Sequence, residues 1–187
     1  MPDAFNWPLI VSNNADESGI SVVFLVEKCA TVTDITDATE VAALKTANNL
    51  YTFCVLNGEQ PKPETQSFSE SSANGSKDVD TKNQWTVTWE AYVDETLYNQ
   101  LGNINGKPDY RIGTINATSA SKRILRFWDV KVDNLRVLPE QSGNSEDNKI
   151  MVMGESIFTL PVDNLGEYHD VTSDTALLAE FDCNDDC

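Results

Sequence analysis

The segment "QWTVTWEAYV" (84–93) limits the possible folds of this sequence more than any other. Large apolar side chains alternate there with polar ones, and the segment holds two of the chain's four tryptophans. Such alternation is typical of a β-strand with one buried face. The residues predicted for the buried face are Trp85, Val87, Trp89 and Ala91. The residues predicted for the opposite face are Thr86, Thr88, Glu90 and Tyr92.

The tryptophan face has two possible uses. Aromatic residues on a strand usually pack into a core, and the small Ala91 on the same face favours that use here. Exposed tryptophans on a β-sandwich can instead stack on a sugar, so a carbohydrate-binding platform at Trp85 and Trp89 stays open. If the face is core, the polar side of the strand is the one that meets water or another subunit.

Further segments rich in β-branched residues predict more strands. Two segments with apolar residues three or four positions apart predict short helices at 39–50 and 95–103. The sequence therefore predicts a mainly β protein, an antiparallel β-sandwich or barrel with one or two short helices and a long polar loop. The further strands are predicted at 20–35, 51–56, 109–117, 121–138 and 149–160, with the last two forming one large hairpin.

The composition divides the chain into one domain, residues 1–162, and an acidic C-terminal tail, residues 163–187. The tail has eight acidic residues and no lysine or arginine. It is predicted to be an exposed appendage or a segment that docks on a neighbour. Within the domain, residues 1–19 are predicted to be an extended N-terminal arm.

Residues 58–82 are predicted to be a long polar loop, in which Phe68 and Val79 are the only sizeable apolar residues. A long polar segment inside a compact domain is usually either functional or disordered. Because strands flank it on both sides, two forms are possible: a mobile, solvent-exposed loop, or a long, flexible β-hairpin arm.

The net charge of −17, from 30 acidic and 13 basic residues, argues against binding to nucleic-acid phosphates. Such binding requires clustered basic residues, and the nearest group is Lys122, Arg123 and Arg126 within an apolar strand. No apolar run is long enough for a transmembrane helix, and the N-terminus lacks the basic and apolar regions of a signal peptide. We therefore expect no membrane contact and a protein that acts where it is made or within a particle.

The four cysteines are not expected to form disulfides, because a reducing compartment keeps thiols reduced. Cys29 and Cys54 are surrounded by apolar residues and are predicted to be small buried hydrophobic residues. Cys183 and Cys187 belong to "DCNDDC" (182–187). That segment matches half a zinc site or the opening of a calcium loop, but no further ligands complete either site. Neither a metal site nor a cofactor is predicted.

The sequence contains no motif that indicates catalysis. His169 is the single histidine, and it lies in a polar segment that nothing places in a cleft. Two carboxylates could act as a glycosidase pair, but any sheet in a chain with 30 acidic residues brings two together by chance. No catalytic residue is predicted, and the protein is expected not to be an enzyme.

The order of the predicted elements is more informative than any motif. An extended arm is followed by a strand, a short helix, a strand and the long polar loop. Then come "NQWTVTWEAYVDETLYNQL", a strand, and the strands of "KRILRFWDVKVDNLRVL" and "DNKIMVMGESIFTL". Over residues 20–162, this order resembles that of bacteriophage tail tube proteins and the related ring proteins at the head–tail junction.

The resemblance implies a β-sandwich that closes into a ring, hexameric in a tail tube, with an inner barrel that conducts the genome and a long loop that reaches the next ring. It implies a non-enzymatic virion protein, assembled in the host cytoplasm, whose partners are its own copies and other virion proteins. An acidic lumen would pass DNA without binding it. The residues expected at subunit contacts are Phe68, Val79, Thr86, Thr88, Glu90 and Tyr92.

Three other functions stay open at this point. A capsid decoration or head-fibre protein belongs to the same structural class but would lie on the head surface. A carbohydrate-binding module would use the tryptophan platform. An acid-pair hydrolase would need two of the many carboxylates in one cleft.

Overall fold

The computed structural model describes residues 19–58, 61–72, 75–107, 109–119, 122–139, 150–161 and 164–181. These residues form one antiparallel sheet of nine strands and three short helices. The predicted mainly β class is therefore confirmed.

The strands are β1 (Gly19–Glu27), β2 (Leu50–Gly58), β3 (Lys62–Ser72), β4 (Gly75–Val93), β5 (Tyr110–Ser119), β6 (Lys122–Trp128), β7 (Asn134–Pro139), β8 (Ile150–Pro161) and β9 (Glu167–Asp170). The helices are α1 (Ala38–Thr46), α2 (Glu95–Ile104) and α3 (Thr175–Glu180). Each helix begins after an aspartate whose carboxylate accepts a hydrogen bond from a backbone N–H of the first turn. These aspartates are Asp37, Asp94 and Asp174.

The strands lie in the order β7-β8-β4-β2-β1-β5-β6-β9, and β3 pairs with β4. β7 and β9, at the two ends of this order, do not pair with each other within the described residues, so the sheet is not closed into a barrel. The sheet nevertheless curls enough for Trp85 of β4 to pack against Trp128 of β6, although β2, β1 and β5 lie between them. The result is a sandwich-like fold whose concave side encloses the larger core.

The first core cluster lies on the concave side of the sheet and includes the tryptophan face of β4. Trp85 and Trp89 are each 2% exposed. The Trp85 ring stacks on Phe158 of β8, with 6.4 Å between the centroids, and lies 5.6 Å from Trp128. The interpretation of these tryptophans as core residues is therefore confirmed.

A second core cluster lies on the convex side of β1, β5 and β6, where α1 and α3 cover the sheet. The Phe24 ring of β1 lies 6.0 Å from Phe127 of β6 and 4.8 Å from Phe181, which follows α3. Leu44 of α1 and Leu177 of α3 complete the contact between helices and sheet. The sheet is thus covered on both sides only in this half.

The predicted separation of an acidic tail, residues 163–187, is not seen in its described part, residues 164–181. β9 pairs with β6 as the last strand of the sheet, and α3 packs on the second core cluster. The Lys45 ammonium also donates a hydrogen bond of 2.8 Å to the carbonyl oxygen of Glu180. The acidic composition of this segment does not indicate that it packs on the core. A few apolar residues are enough to attach a short helix to a core, and they change the overall composition very little.

The single strand predicted over 121–138 is in fact two strands, β6 and β7, in opposite halves of the sheet. Between them the N–H groups of Val132 and Asp133 donate hydrogen bonds to carbonyls of β5 and β8, respectively. These bonds hold the chain where it crosses from one half of the sheet to the other. The predicted hairpin with 149–160 is correct for β7, which pairs with β8.

Cys29 and Cys54 were predicted to be small buried hydrophobic residues, and both predictions were wrong. Cys29 is free and exposed, because it lies in the turn after β1 rather than in a strand. Cys54 on β2 is half-buried and disulfide-bonded. Cys183 and Cys187 lie outside the described residues.

Gly154 of β8 lies opposite Trp89 of β4, at a point where the backbone closely approaches the Trp89 side chain. A Cβ atom at this position would overlap the buried indole ring of Trp89. We expect Gly154→Ala to lower the free energy of unfolding by about 1–3 kcal/mol, as overpacking usually does. Urea denaturation measures the change. Gly102→Ala is the control, since a Cβ there meets no atom within 4 Å and alanine favours the helix. Equal stability of Gly154→Ala and the parent chain would contradict this packing.

Candidate subunit interface

The polar side of β4 is part of a wider sheet surface that faces away from the first core cluster. β4 pairs with β8, and β8 pairs with β7, so side chains of all three strands lie side by side there. We call this surface the outer face. Its residues are Thr86, Thr88, Glu90, Tyr92, Asn134, Arg136, Leu138, Met151, Met153, Glu155 and Ile157.

The strand register arranges the outer face in rows that run across the three strands. From one end, the rows are Thr86–Ile157–Asn134, Thr88–Glu155–Arg136 and Glu90–Met153–Leu138. In two of them, the central strand contributes an apolar side chain. In the middle row, Glu155 lies directly opposite Arg136, an arrangement of opposite charges that stabilises a strand pair. The outer face is therefore mixed: its central strand carries apolar Ile157 and Met153, and the oppositely charged Glu155 and Arg136 lie in the row between them.

The outer face is open to solvent in the described structure. Met153 is 51% exposed, and Leu56, the extra residue of a β-bulge in β2 next to Glu90, is 41% exposed. None of the described helices covers it, since α1 and α3 pack on the second core cluster and α2 packs on the first. Exposed apolar side chains that no described helix covers are a feature of many interaction sites.

β3 and the first part of β4 form a hairpin that extends past the rest of the sheet. β8 pairs with β4 only from Lys82 onward, whereas Gly75–Asp80 pair with β3 alone among the described strands. The hairpin therefore projects by roughly 20 Å, at about 3.3 Å per residue. Of the two forms predicted for 58–82, the described residues adopt the β-hairpin arm, and its base is continuous with the outer face.

The four β4 residues predicted at subunit contacts all lie on the outer face. Phe68 and Val79 lie opposite each other in the hairpin, but their side chains fall outside the described part of the structure. Met153 and Ile157 of β8 lie on the same face but are not among the residues predicted from the sequence. The alternation in "IMVMGESIFTL" is the same signal that marked β4, and it would have placed both on the outward side.

The described residues show little that could support catalysis. They contain no group of three or more His, Cys, Asp or Glu side chains able to hold a metal ion. His169 lies on the edge strand β9, with its Nε2 atom 3.3 Å from a carboxylate oxygen of Glu167, as an ordinary surface pair. The candidate metal ligands of 182–187 lie outside the described residues. No helix in the described ranges is long and apolar enough to cross a membrane.

Comparison with protein-family models and with curated proteins finds no match to this chain. No residue role is therefore taken from a relative. The function is inferred from the outer face, the projecting hairpin and the charge of the chain.

Proposed function

We propose that this protein is a non-enzymatic structural subunit of a bacteriophage virion. In this proposal it is a tail tube protein, or a related ring protein, that assembles with its own copies into a conduit for the genome. The observation that carries the proposal is the outer face, which no described helix covers, which has apolar side chains on its central strand and which continues into a projecting hairpin. Other virion proteins are the remaining partners.

The outer face supports self-association because the two halves of the sheet differ. One half is covered on its convex side by α1 and α3, whereas the other half exposes Met153 to solvent. Subunit interfaces commonly have an apolar centre and a polar rim. Met153 and Ile157 would supply the apolar contacts of such an interface, and Glu155, which lies between them, is opposite Arg136.

The hairpin supports contact between subunits for a different reason. A two-stranded hairpin is at best marginally stable on its own, because it has too few neighbours to bury side chains. β3 pairs only with β4 among the described strands, so the projecting part has no third strand beside it within the described residues. Contact with an adjacent subunit would stabilise it.

The charge of the chain suits a conduit for DNA. A ring of subunits that each carry a net charge of −17 repels phosphate groups. DNA can then slide through without being held, whereas a basic lumen would bind it through counterion release. In this proposal the protein passes DNA without specific binding.

Negative-stain electron microscopy and sedimentation velocity on the full chain test the proposal. We expect rings or tubes of uniform diameter at high protein concentration. Met153→Asp should raise the concentration needed for assembly by roughly tenfold or more, since it replaces an apolar contact of the interface with an unpaired charge. Its melting temperature should change little, because the residue is 51% exposed. Tyr98→Asp is the control, since Tyr98 is 37% exposed on α2 and lies off the outer face.

Three results would count against all or part of the proposal. A protein that stays monomeric at every concentration and never co-purifies with particles would overturn it. If Met153→Asp forms rings as readily as the parent chain, the proposal of a ring protein stands, but the outer face is not the interface between its subunits. Antibody labelling of the head surface instead of the tail axis would favour a capsid decoration protein.

The carbohydrate-binding alternative has lost its main support. Trp85 and Trp89 are each 2% exposed, so neither ring can stack on a sugar in the folded protein. A platform of this kind would require a different set of aromatic residues.

A further inference from the structure

Cys54 of β2 is disulfide-bonded, and the sequence limits its partner within the chain to two residues. The chain has four cysteines, and Cys29 is free. Only Cys183 and Cys187 then remain as partners, and both follow α3 in the sequence. A bond within the chain therefore joins β2 to the segment that follows the last helix.

The positions of Cys54 and Phe181 are compatible with this connection. Cys54 packs at the margin of the second core cluster, opposite Val22 of β1. Phe181 is buried in the same cluster, and its ring lies 4.8 Å from that of Phe24, which also belongs to β1. The two candidate cysteines follow Phe181 by two and six residues, which span up to about 7 Å and about 20 Å of extended chain. Both lengths allow a disulfide, in which the Cα atoms lie about 4.4–6.8 Å apart.

The segment that this bond would hold has few other attachments. β9 has four residues and pairs only with β6 among the described strands. α3 has six residues, of which Leu177 is buried, and the Lys45 ammonium donates one hydrogen bond to the carbonyl oxygen of Glu180. Short elements at the margin of a structure open locally at a smaller cost in free energy than unfolding of the whole protein. A covalent bond beyond α3 would suppress this opening.

We propose that a disulfide between Cys54 and either Cys183 or Cys187 is a redox-sensitive latch that holds β9 and α3 on the sheet. Reducing surroundings such as the cytosol keep thiols reduced, and oxidising surroundings allow disulfides to form. In the proposed function the particle leaves the host cytoplasm, and the latch closes at that point. Only this timing rests on the proposed function, whereas the bond and its effect on α3 do not.

Closure of the latch is a thiol–disulfide exchange, with glutathione disulfide as the oxidant. A cysteine thiolate of the chain attacks one sulfur of glutathione disulfide, which forms a mixed disulfide and releases one glutathione. The second cysteine thiolate attacks the chain's own sulfur in that mixed disulfide and releases the other glutathione. In total, the two cysteines lose two electrons and two protons, and the two glutathione molecules gain them.

Peptide mapping of the full chain tests the bond. The protein is purified under reducing conditions, one portion is exposed to glutathione disulfide, and both portions are denatured, alkylated and digested without reductant for mass spectrometry. Cleavage at aspartate separates Cys183 from Cys187, because Asp185 and Asp186 lie between them. We expect four free thiols per chain before exposure and two after it, with Cys54 linked to a peptide that contains one of these two cysteines.

Amide hydrogen exchange tests the latch. We expect exchange within 167–181 to slow roughly tenfold or more after oxidation, whereas exchange in β8, in the other half of the sheet, should not change. Cys54→Ser and the double variant Cys183→Ser/Cys187→Ser should exchange rapidly there in both conditions. Cys29→Ser is the matched control: Cys29 is free and exposed, so this variant should behave like the parent chain.

Three results would overturn the inference. The first is a bond from Cys54 to Cys29 or to another copy of the chain, and the second is a Cys54 thiol that stays free in glutathione disulfide. The third is equal exchange of 167–181 in both redox states, which would make the bond a crosslink without a latch. None of them affects ring formation, which Met153→Asp tests separately.

Discussion

Trp85→Ala is expected to lower the free energy of unfolding by about 3–5 kcal/mol, the usual cost of removing a large aromatic side chain from a core. Trp85 is 2% exposed, its ring plane lies 3° from that of Phe158, and its other neighbour is Trp128 across the curled sheet. The substitution therefore leaves a cavity between two halves of one sheet, and hydrogen-bonded strands cannot easily close it. Urea denaturation followed by circular dichroism measures the loss.

Thr86→Ser is the matched control for Trp85→Ala. Thr86 lies next to Trp85 on the same strand but on the exposed outer face. The substitution should therefore change the free energy of unfolding by about 0.5 kcal/mol or less. The comparison also tests the sugar-binding alternative. If Trp85→Ala kept full stability and lost binding to a glycan, the assignment of Trp85 to the core would be wrong.

Cys54→Ser is expected to lower the free energy of unfolding by about 2–4 kcal/mol, as the loss of a native disulfide commonly does. Cys54 is disulfide-bonded and lies opposite Val22 of β1, at the margin of the second core cluster. A covalent link at that point restricts the unfolded chain more than the folded one. Thermal unfolding followed by circular dichroism, with and without a thiol reductant, measures the effect.

Cys29→Ser is the control for this experiment, because Cys29 is free and exposed. Reductant should lower the melting temperature of the parent chain and of Cys29→Ser, but it should leave Cys54→Ser unchanged. If the parent chain melts at the same temperature with and without reductant, the disulfide contributes nothing to stability.

β4 could be predicted as a strand because the alternation of its side chains depends only on the local environment of each residue. One side of the strand faces a core and the other does not, so Trp85 and Thr86 belong to chemically different environments. The same alternation identified the part of the outer face that lies on β4. The caps at Asp37 and Asp94 were also predictable, because they depend only on residues within one helical turn.

Features that depend on distant parts of the chain could not be predicted. Alternation shows that a segment is a strand but does not show which strand is its neighbour, so β6 and β7 were taken for one element. The position of Cys54 in the sequence gives no sign of a bonded partner, since spacing alone does not determine a disulfide. The surroundings of Arg126 come from β4, β6 and β9, which are separated in the sequence and meet only when the sheet curls.

The second core cluster joins residues from both ends of the described chain and so sets the order of events during synthesis. Phe24 of β1 packs against Phe181, which leaves the ribosome 157 residues later (181 − 24). Until then, β1 can pair with β2, but the convex side of the sheet stays exposed to water. Because translation proceeds from the N-terminus, the nascent chain cannot complete this core while residues before α3 are still being made. Its apolar surface is available to chaperones and proteases throughout that period.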